Sequence, residues 1–319
     1  MAKVVVTGKI PSGALTRLRA EHDVLAWEES TPISREELLK RVSGADAIVS
    51  LLTEKIDDEL LAAAGTQLKS VSNVAVGYNN IDVPACKARS VLVTNTPGVL
   101  TEATADIAMS LILMTTRRLA EGERVIRAQQ PWQWGMFYML GSSIQGRQLG
   151  IVGMGQIGAA VARRARAFGM TIAYTKRTPL DAATHKELDA KHVELDELLA
   201  TSDVVSLHCP YSPETHHFMN ATQLAKMKSS AYLINTARGP VVDEAALADA
   251  LQRNVIAGAG LDVFEKEPVV HEGLLGLDNA VLIPHLGSAT VETRAAMADL
   301  AATNALAILG GKTAPNLVS

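Results

Sequence analysis

Short apolar, β-branched runs alternate with helix-forming segments over the first hundred residues. "KVVVTG", "DVLAW", "AIVSLL", "LKSVSN" and "VLVTN" have the length of buried strands. Between them, "SGALTRLRAEH", "SREELLKRV", "DDELLAAAG" and "VPACKARS" carry helix formers with helix-like spacing. A second series runs from about residue 148 to 285, with strands expected at "LGIVG", "TIAYT", "VVSLHC", "AYLINT", "AGAGLDV" and "AVLIPH". Strand-helix alternation of this kind predicts parallel sheets covered by right-handed crossover helices on both faces. The expected fold class is therefore α/β, with two doubly wound parallel-sheet domains.

Two longer helical patterns join the series. "TEATADIAMSLILMTTRRLAEGERVIRAQ" reads as one amphipathic helix, with Thr101 as N-cap and Thr104 and Asp106 in its first turns. "GSATVETRAAMADLAATNALAIL" follows the second series and is expected to return to the first domain. Residues 1–100 and 287–319 should then form one discontinuous domain, and residues 101–286 the other.

Composition removes several function classes. The formal net charge of -4 leaves no basic surplus for nucleic acid. Cys86 and Cys209 make no disulfide framework, so a reducing cytoplasm is the default compartment. The opening "MAKVVVTGKI" is too short an apolar run for a signal peptide, and no run reaches the length of a membrane span. His216-His217 has no further ligands at metal-site spacing, so no metal is expected. The charged stretch "KELDAKHVELDELL" reads as a solvated helix and loop.

The chemistry begins at "LGIVGMGQIGAAVARRA", which supplies strand, tight turn and helix. Gly153, Gly155 and Gly158 match G-x-G-x-x-G: one glycine for the turn, one for backbone approach to a pyrophosphate, one for helix packing. The helix N-terminus would face the phosphates with free N–H groups and the positive end of its dipole. About 20 residues past Gly158, an NAD-binding chain places an acid on the ribose 2′-hydroxyl. Here the place reads Lys176-Arg177-Thr178, two cations and a hydroxyl, which points to the 2′-phosphate of NADP(H).

Ligands of open α/β sheets bind beyond the carboxyl ends of the strands. In the second series those ends carry Arg238, then Asp262, Glu265 and Glu267, and then His285. Arginine suits a carboxylate, histidine suits proton donation to a developing alkoxide, and a neighbouring glutamate favours the imidazolium. That combination fits hydride reduction of a 2-oxo acid. His208 also ends a strand and rivals His285; either glutamate can serve.

Taken in order, "SNVAVGYNNIDV", "TPGVLTEATADIAM", "LGIVGMGQIG", "SLHCPYSPETHHFMN", "INTARGPVVDEAALADAL", "AGLDVFEKEP" and "LIPHLGSAT" resemble the D-isomer-specific 2-hydroxyacid dehydrogenases over nearly the whole chain. The resemblance implies a flavodoxin-like substrate domain and a Rossmann dinucleotide-binding domain. It puts the family's arginine on Arg238, its glutamate on Glu267 and its acid/base histidine on His285. Val76 and Gly77 would offer backbone N–H groups to the substrate carboxylate, with Ser288 nearby. Thr104, Gln156, Ile157, Cys209, Pro210, Thr215, Thr236, Ala237, Asp262 and Gly287 fall on cofactor-lining positions.

Within the family, "PHLGSAT", the aromatic arm "PWQWGMFYMLG" and the cationic strand end resemble the glyoxylate and hydroxypyruvate reductases. That group implies NADP(H) as preferred cofactor with NAD(H) possible, and a homodimer through the dinucleotide-binding domain. It also implies an arm tryptophan, Trp134 or Trp132, at the partner's active site. Two alternatives stay open: a phosphoglycerate or phosphite dehydrogenase of the same family, and a dinucleotide-sensing, corepressor-like binding protein.

Overall fold

A computed structural model describes residues 1–318; Ser319, the last residue of the expected discontinuous domain, lies outside them. The chain divides into two compact units. One is Met1–Leu100 together with the segment from Ser288 onward; the other is Thr101–Gly287.

The first unit holds β1 (Lys3–Val6), α1 (Ser12–Glu21), β2 (Asp23–Ala26), α2 (Arg35–Val42), β3 (Ala47–Ser50), α3 (Asp58–Ala64), β4 (Ser70–Asn73), α4 (Val83–Ala88) and β5 (Leu92–Thr94). Its sheet is parallel throughout, in the order β2-β1-β3-β4-β5. This is the flavodoxin-like order, with its switch point beside β1 and β3. Val5, Ile48, Val71 and Val93 form the centre of its core beside Leu38, Leu60 and Leu61 of the helices.

The second unit holds α5 (Thr101–Thr116), α6 (Leu119–Arg127), β6 (Gln148–Val152), α7 (Gln156–Ala167), β7 (Thr171–Thr175), α8 (Ala182–Leu188), β8 (Ala190–His192), α9 (Leu195–Thr201) and β9 (Val204–Leu207). It continues with α10 (Ala221–Leu224), β10 (Tyr232–Asn235), α11 (Glu244–Gln252), β11 (Gly258–Leu261), α12 (Glu272–Leu275) and β12 (Ala280–Leu282). The order β12-β11-β10-β9-β6-β7-β8 is parallel throughout and reverses between β6 and β9. Side chains alternate across the sheet as the pleat requires. Ile151 joins a core beneath α5 and α7, whereas Val152 joins the opposite one with Leu198, Leu233 and Leu247. The last helix, α13 (Val291–Leu309), is capped by Thr290 and packs on α1, β3 and β4 of the first unit.

Three expectations need correction. The long joining helix is broken: α5 stops at Thr116, and Arg118 takes a left-handed backbone with φ of 54°. Thr115 and Thr116 turn their hydroxyls back on Leu111 O and Ile112 O, and Ser142 N takes the Thr116 carbonyl, so the helical ladder ends there. Thr101 is the first helical residue of α5, not its cap. The charged stretch after α8 is also more than helix and loop. Leu188, Ala190 and Val193 are buried, and Ala190–His192 adds β8 to the sheet edge beside β7. Among the described residues no helix is long and apolar enough to cross a membrane.

Candidate active site

β6 leads into the glycine turn. Gly153 has φ of 93°, which an L side chain rarely adopts, and a Cβ there would lie 2.5 Å from Cys209 N. Gly158 is constrained as well, since a Cβ would stand 2.6 Å from Gly153 O. Gly155 differs: a Cβ would meet no heavy atom within 4 Å. The chain's own packing accounts for the first two glycines and not for Gly155, whose surface is open to a ligand. The N–H groups of Gln156, Ile157 and Gly158 precede the first intrahelical bond of α7, from Ala159 N to Gly155 O at 2.9 Å. A dinucleotide pyrophosphate fits this turn.

Beyond β7, Lys176, Arg177 and Thr178 follow one another with no acid among them. His192, at the end of β8, holds the loop by donating from Nε2 to Lys176 O at 3.2 Å. Arg177 and Thr178 are exposed, and Lys176 is half-buried. The carboxyl of Glu214, in the loop after β9, is held below its ordinary value, chiefly by the Ser212 hydroxyl and to a smaller degree by the charge of Arg177. In that same loop Cys209 backs the glycine turn. The Thr215 hydroxyl accepts from Ser212 N at 2.7 Å and donates to Pro210 O at 2.9 Å.

At the end of β10 the side chain of Asn235 shapes the next loop. Its Oδ1 accepts from Ala237 N at 3.0 Å and its Nδ2 donates to Arg238 O at 2.9 Å. Arg238 Nη1 donates to Ala237 O at 2.8 Å. Burial lowers the pKa of the Arg238 guanidinium, and the charge of Glu267 opposes that fall. Gly239 lets the loops touch: a Cβ there would lie 1.9 Å from the carbonyl carbon of Phe264. This close approach brings Arg238 to the loop that bears Glu267.

Glu267 Oε2 stands 2.8 Å from Nδ1 of His285, and its Oε1 accepts from Phe264 N at 3.0 Å. Burial pushes the Glu267 carboxyl up, but the His285 hydrogen bond and charge, the Phe264 N–H and Arg238 together hold it below the ordinary glutamate value. His285 has φ of 51°. Asp262, almost wholly buried, stabilises that turn. Its carbonyl accepts from His285 N at 2.9 Å, and its carboxylate accepts from Leu286 N at 2.5 Å and Gly287 N at 2.8 Å. The buried Thr104 hydroxyl donates to Gly287 O at 3.1 Å. Burial raises the Asp262 carboxyl, partly offset by those two N–H groups and by His285.

The rival residues make other contacts. His208 has Ser206 Oγ at 2.8 Å from Nε2 and Thr236 Oγ1 at 3.5 Å from Nδ1, and burial pushes its pKa down to about 4. Glu265 turns away from His285, accepting from Glu244 N at 2.9 Å and standing 3.2 Å from His217 Nε2.

In the first unit, three consecutive carbonyls after β4 are engaged. Thr96 N donates to Ala75 O at 2.9 Å, Asn95 Nδ2 to Val76 O at 2.8 Å, and Asn73 Nδ2 to Gly77 O at 2.9 Å. The N–H groups of Val76 and Gly77 have no partner among the described residues, and both residues are partly exposed. Ser288 opens the returning segment, its carbonyl accepting from Thr290 N at 2.8 Å.

The D-isomer specific 2-hydroxyacid dehydrogenase NAD binding domain matches residues 109–287. A glyoxylate reductase of Thermococcus onnurineus is 48% identical over 322 residues, covering 99% of this chain and 96% of that protein. The chain belongs to the D-isomer specific 2-hydroxyacid dehydrogenase family. Among solved structures, a glyoxylate reductase from Paecilomyes thermophila superposes with TM-score 0.90 at 36% identity, over 99% of this chain and 98% of that one. An NADPH-dependent glyoxylate/hydroxypyruvate reductase from Sinorhizobium meliloti, solved with NADP and malonate, gives 0.87 at 38% identity, over 100% and 97%.

Two residues that shape the loops of this candidate site escaped the sequence reading. Asn235 had a signal, an asparagine at a strand end, where it folds an Asx-type turn. Glu244 had none, because its partners are backbone groups. The arm residues stand apart from the cluster. Trp132 stacks on Tyr138 with ring centroids 6.4 Å apart, while Trp134 and Phe137 are 75% and 89% exposed.

Proposed function

We propose that this dehydrogenase reduces a small 2-oxo acid, glyoxylate or hydroxypyruvate, to the D-2-hydroxy acid, with NADPH preferred over NADH. The observation that carries the reading is the 2.8 Å contact of His285 Nδ1 with Glu267, whose carboxylate also feels the charge of Arg238. The names of the relatives from Thermococcus and Sinorhizobium agree with it.

Gly153, Gly155, Gln156, Ile157 and Gly158 hold the pyrophosphate in this proposal, and Lys176, Arg177 and Thr178 hold the 2′-phosphate. Thr104, Cys209, Pro210, Thr215, Thr236, Ala237, Asp262 and Gly287 line the rest of the cofactor site. When bound, the nicotinamide supplies a hydride to the keto carbon.

Arg238 binds the substrate carboxylate and polarises the carbonyl. Val76 and Gly77 lend it their backbone N–H groups, and Ser288 a hydroxyl. With Nδ1–H directed at Glu267, His285 presents Nε2–H and gives that proton to the carbonyl oxygen as charge develops there. Glu267, ionised, stabilises the imidazolium that starts this step. Asp262 holds the histidine's backbone in place while the proton moves.

The exposed Leu119, Ile126, Trp132, Trp134 and Phe137 support a homodimer through this unit, with Trp134 limiting substrate size in the partner. A steady-state panel of 2-oxo acids with NADPH and NADH, followed by the absorbance of reduced nicotinamide, tests the whole reading. Turnover of glyoxylate or hydroxypyruvate is expected. A panel without turnover overturns it.

A further inference from the structure

Glu244 is the first residue of α11 and is almost wholly buried. It is not needed as the helix cap, since Asp243 Oδ1 already accepts from Ala246 N at 2.9 Å. A carboxylate out of water needs donors, and Glu244 has two backbone N–H groups. Its Oε1 accepts from Glu265 N at 2.6 Å and its Oε2 from His271 N at 3.2 Å.

Those N–H groups are the two ends of the loop that carries Glu267. Between them Lys266 and Val269 close a tight turn, Val269 N donating to Lys266 O at 2.9 Å, with Glu267 at its corner. The tie is reciprocal, because Glu265 Oε1 accepts from Glu244 N at 2.9 Å. His217, between Asp243 and Glu265, reaches the outer oxygen of Glu265 at 3.2 Å. Gly239 presses the start of the loop from the Arg238 side. Glu267 therefore meets His285 from a loop whose freedom is removed at both ends by one side chain.

We propose that Glu244 is a positioning residue for the Glu267–His285 pair. Its two carboxylate oxygens bind both ends of the Glu267 loop and set the distance at which that carboxylate meets the imidazole. The inference rests on the reading of His285 as proton donor and Glu267 as its charge partner. Glutamine keeps the shape but has one oxygen, so one loop end would face an amide N–H₂ instead of an acceptor.

The test is a double-mutant cycle on the full-length enzyme with NADPH and glyoxylate. Glu244→Gln should lower kcat by roughly ten- to a hundredfold, the cost of a small misplacement at a reacting group, and leave the KM for NADPH unchanged. In a Glu267→Gln background the same substitution should cost nothing further, because the loop then has no charge partner to deliver. Equal losses in both backgrounds, or wild-type kcat in Glu244→Gln, would overturn the proposal. Should Glu244→Gln not fold, Glu244→Asp gives the same reading, because it keeps both acceptor oxygens on a stem one methylene too short to hold both loop ends at their present distances. A smaller loss that vanishes in the Glu267→Gln background supports the proposal, and a loss that persists there overturns it. Wild-type kcat in Glu267→Gln alone would instead refute the assignment of the His285–Glu267 pair, a separate outcome.

Discussion

Asp262 holds His285 through the backbone: its carbonyl accepts from His285 N at 2.9 Å, and its carboxylate binds the next two N–H groups. A left-handed φ on a residue with a side chain costs about 1–3 kcal/mol and persists only where the surroundings over-determine it. Here the bonds to Asp262 over-determine it, and the result is an imidazole aimed at Glu267.

Asp262→Asn is accordingly expected to keep the fold and lose rate. Its amide N–H₂ would face one of two N–H donors. The predicted fall in kcat is roughly a hundredfold, the scale of a misplaced catalytic group, with the circular dichroism spectrum unchanged. Wild-type kcat in this variant would mean that the loop geometry does not depend on the carboxylate.

Two glycines of the turn, Gly153 and Gly155, should separate cleanly. Gly153→Ala meets backbone at 2.5 Å with φ of 93° and is expected to lower Tm. Gly155→Ala meets nothing in the protein, so Tm should stay near wild type while the KM for the cofactor rises. Calorimetry alongside cofactor titration checks both. A Gly155→Ala enzyme with wild-type cofactor KM would remove the phosphate role of this turn.

Much of this site was readable from sequence, because parallel strands announce themselves as apolar runs and their carboxyl ends follow directly. Arg238, Asp262 and His285 stand just past the ends of β10, β11 and β12, where those apolar runs put them. Other parts were not readable. Glu265 and Glu267 are alike in sequence, and only the Gly239–Phe264 approach and the turn at Lys266–Val269 decide which one reaches His285. The break at Arg118 was hidden because apolar residues continue at helical spacing through Leu119, while the stop comes from threonine hydroxyls and Ser142 N. β8 was hidden by exposed Lys191 between two inward residues.

His208 gives a stability prediction. Its folded-state pKa of about 4 lies below the ordinary 6.5, so the unfolded chain takes up the proton first. Its contribution is fully present above pH 6.5 and is lost as pH falls toward 4. Tm of the wild type should therefore drop more steeply over that window than Tm of His208→Gln. Parallel curves would show that His208 is not held neutral by burial.

Arg177→Ala tests the cofactor reading. One charge-assisted hydrogen bond is worth about 1.5–3 kcal/mol, or about tenfold and more. The wild type should thus favour NADPH over NADH in kcat/KM by at least that factor at modest salt. The variant should lose most of the preference through KM for NADPH, with NADH kinetics nearly unchanged. A wild type that prefers NADH would make Lys176 and Arg177 ordinary surface charges.

The most direct test of the account is single-variant kinetics on His285→Ala with NADPH and glyoxylate, read by absorbance of the reduced nicotinamide. The wild type should turn over, and the variant should lose roughly 10²–10⁴-fold in kcat, the span of general acid catalysis, with NADPH affinity unchanged. Near-normal turnover in His285→Ala would contradict the account and reopen the case for His208.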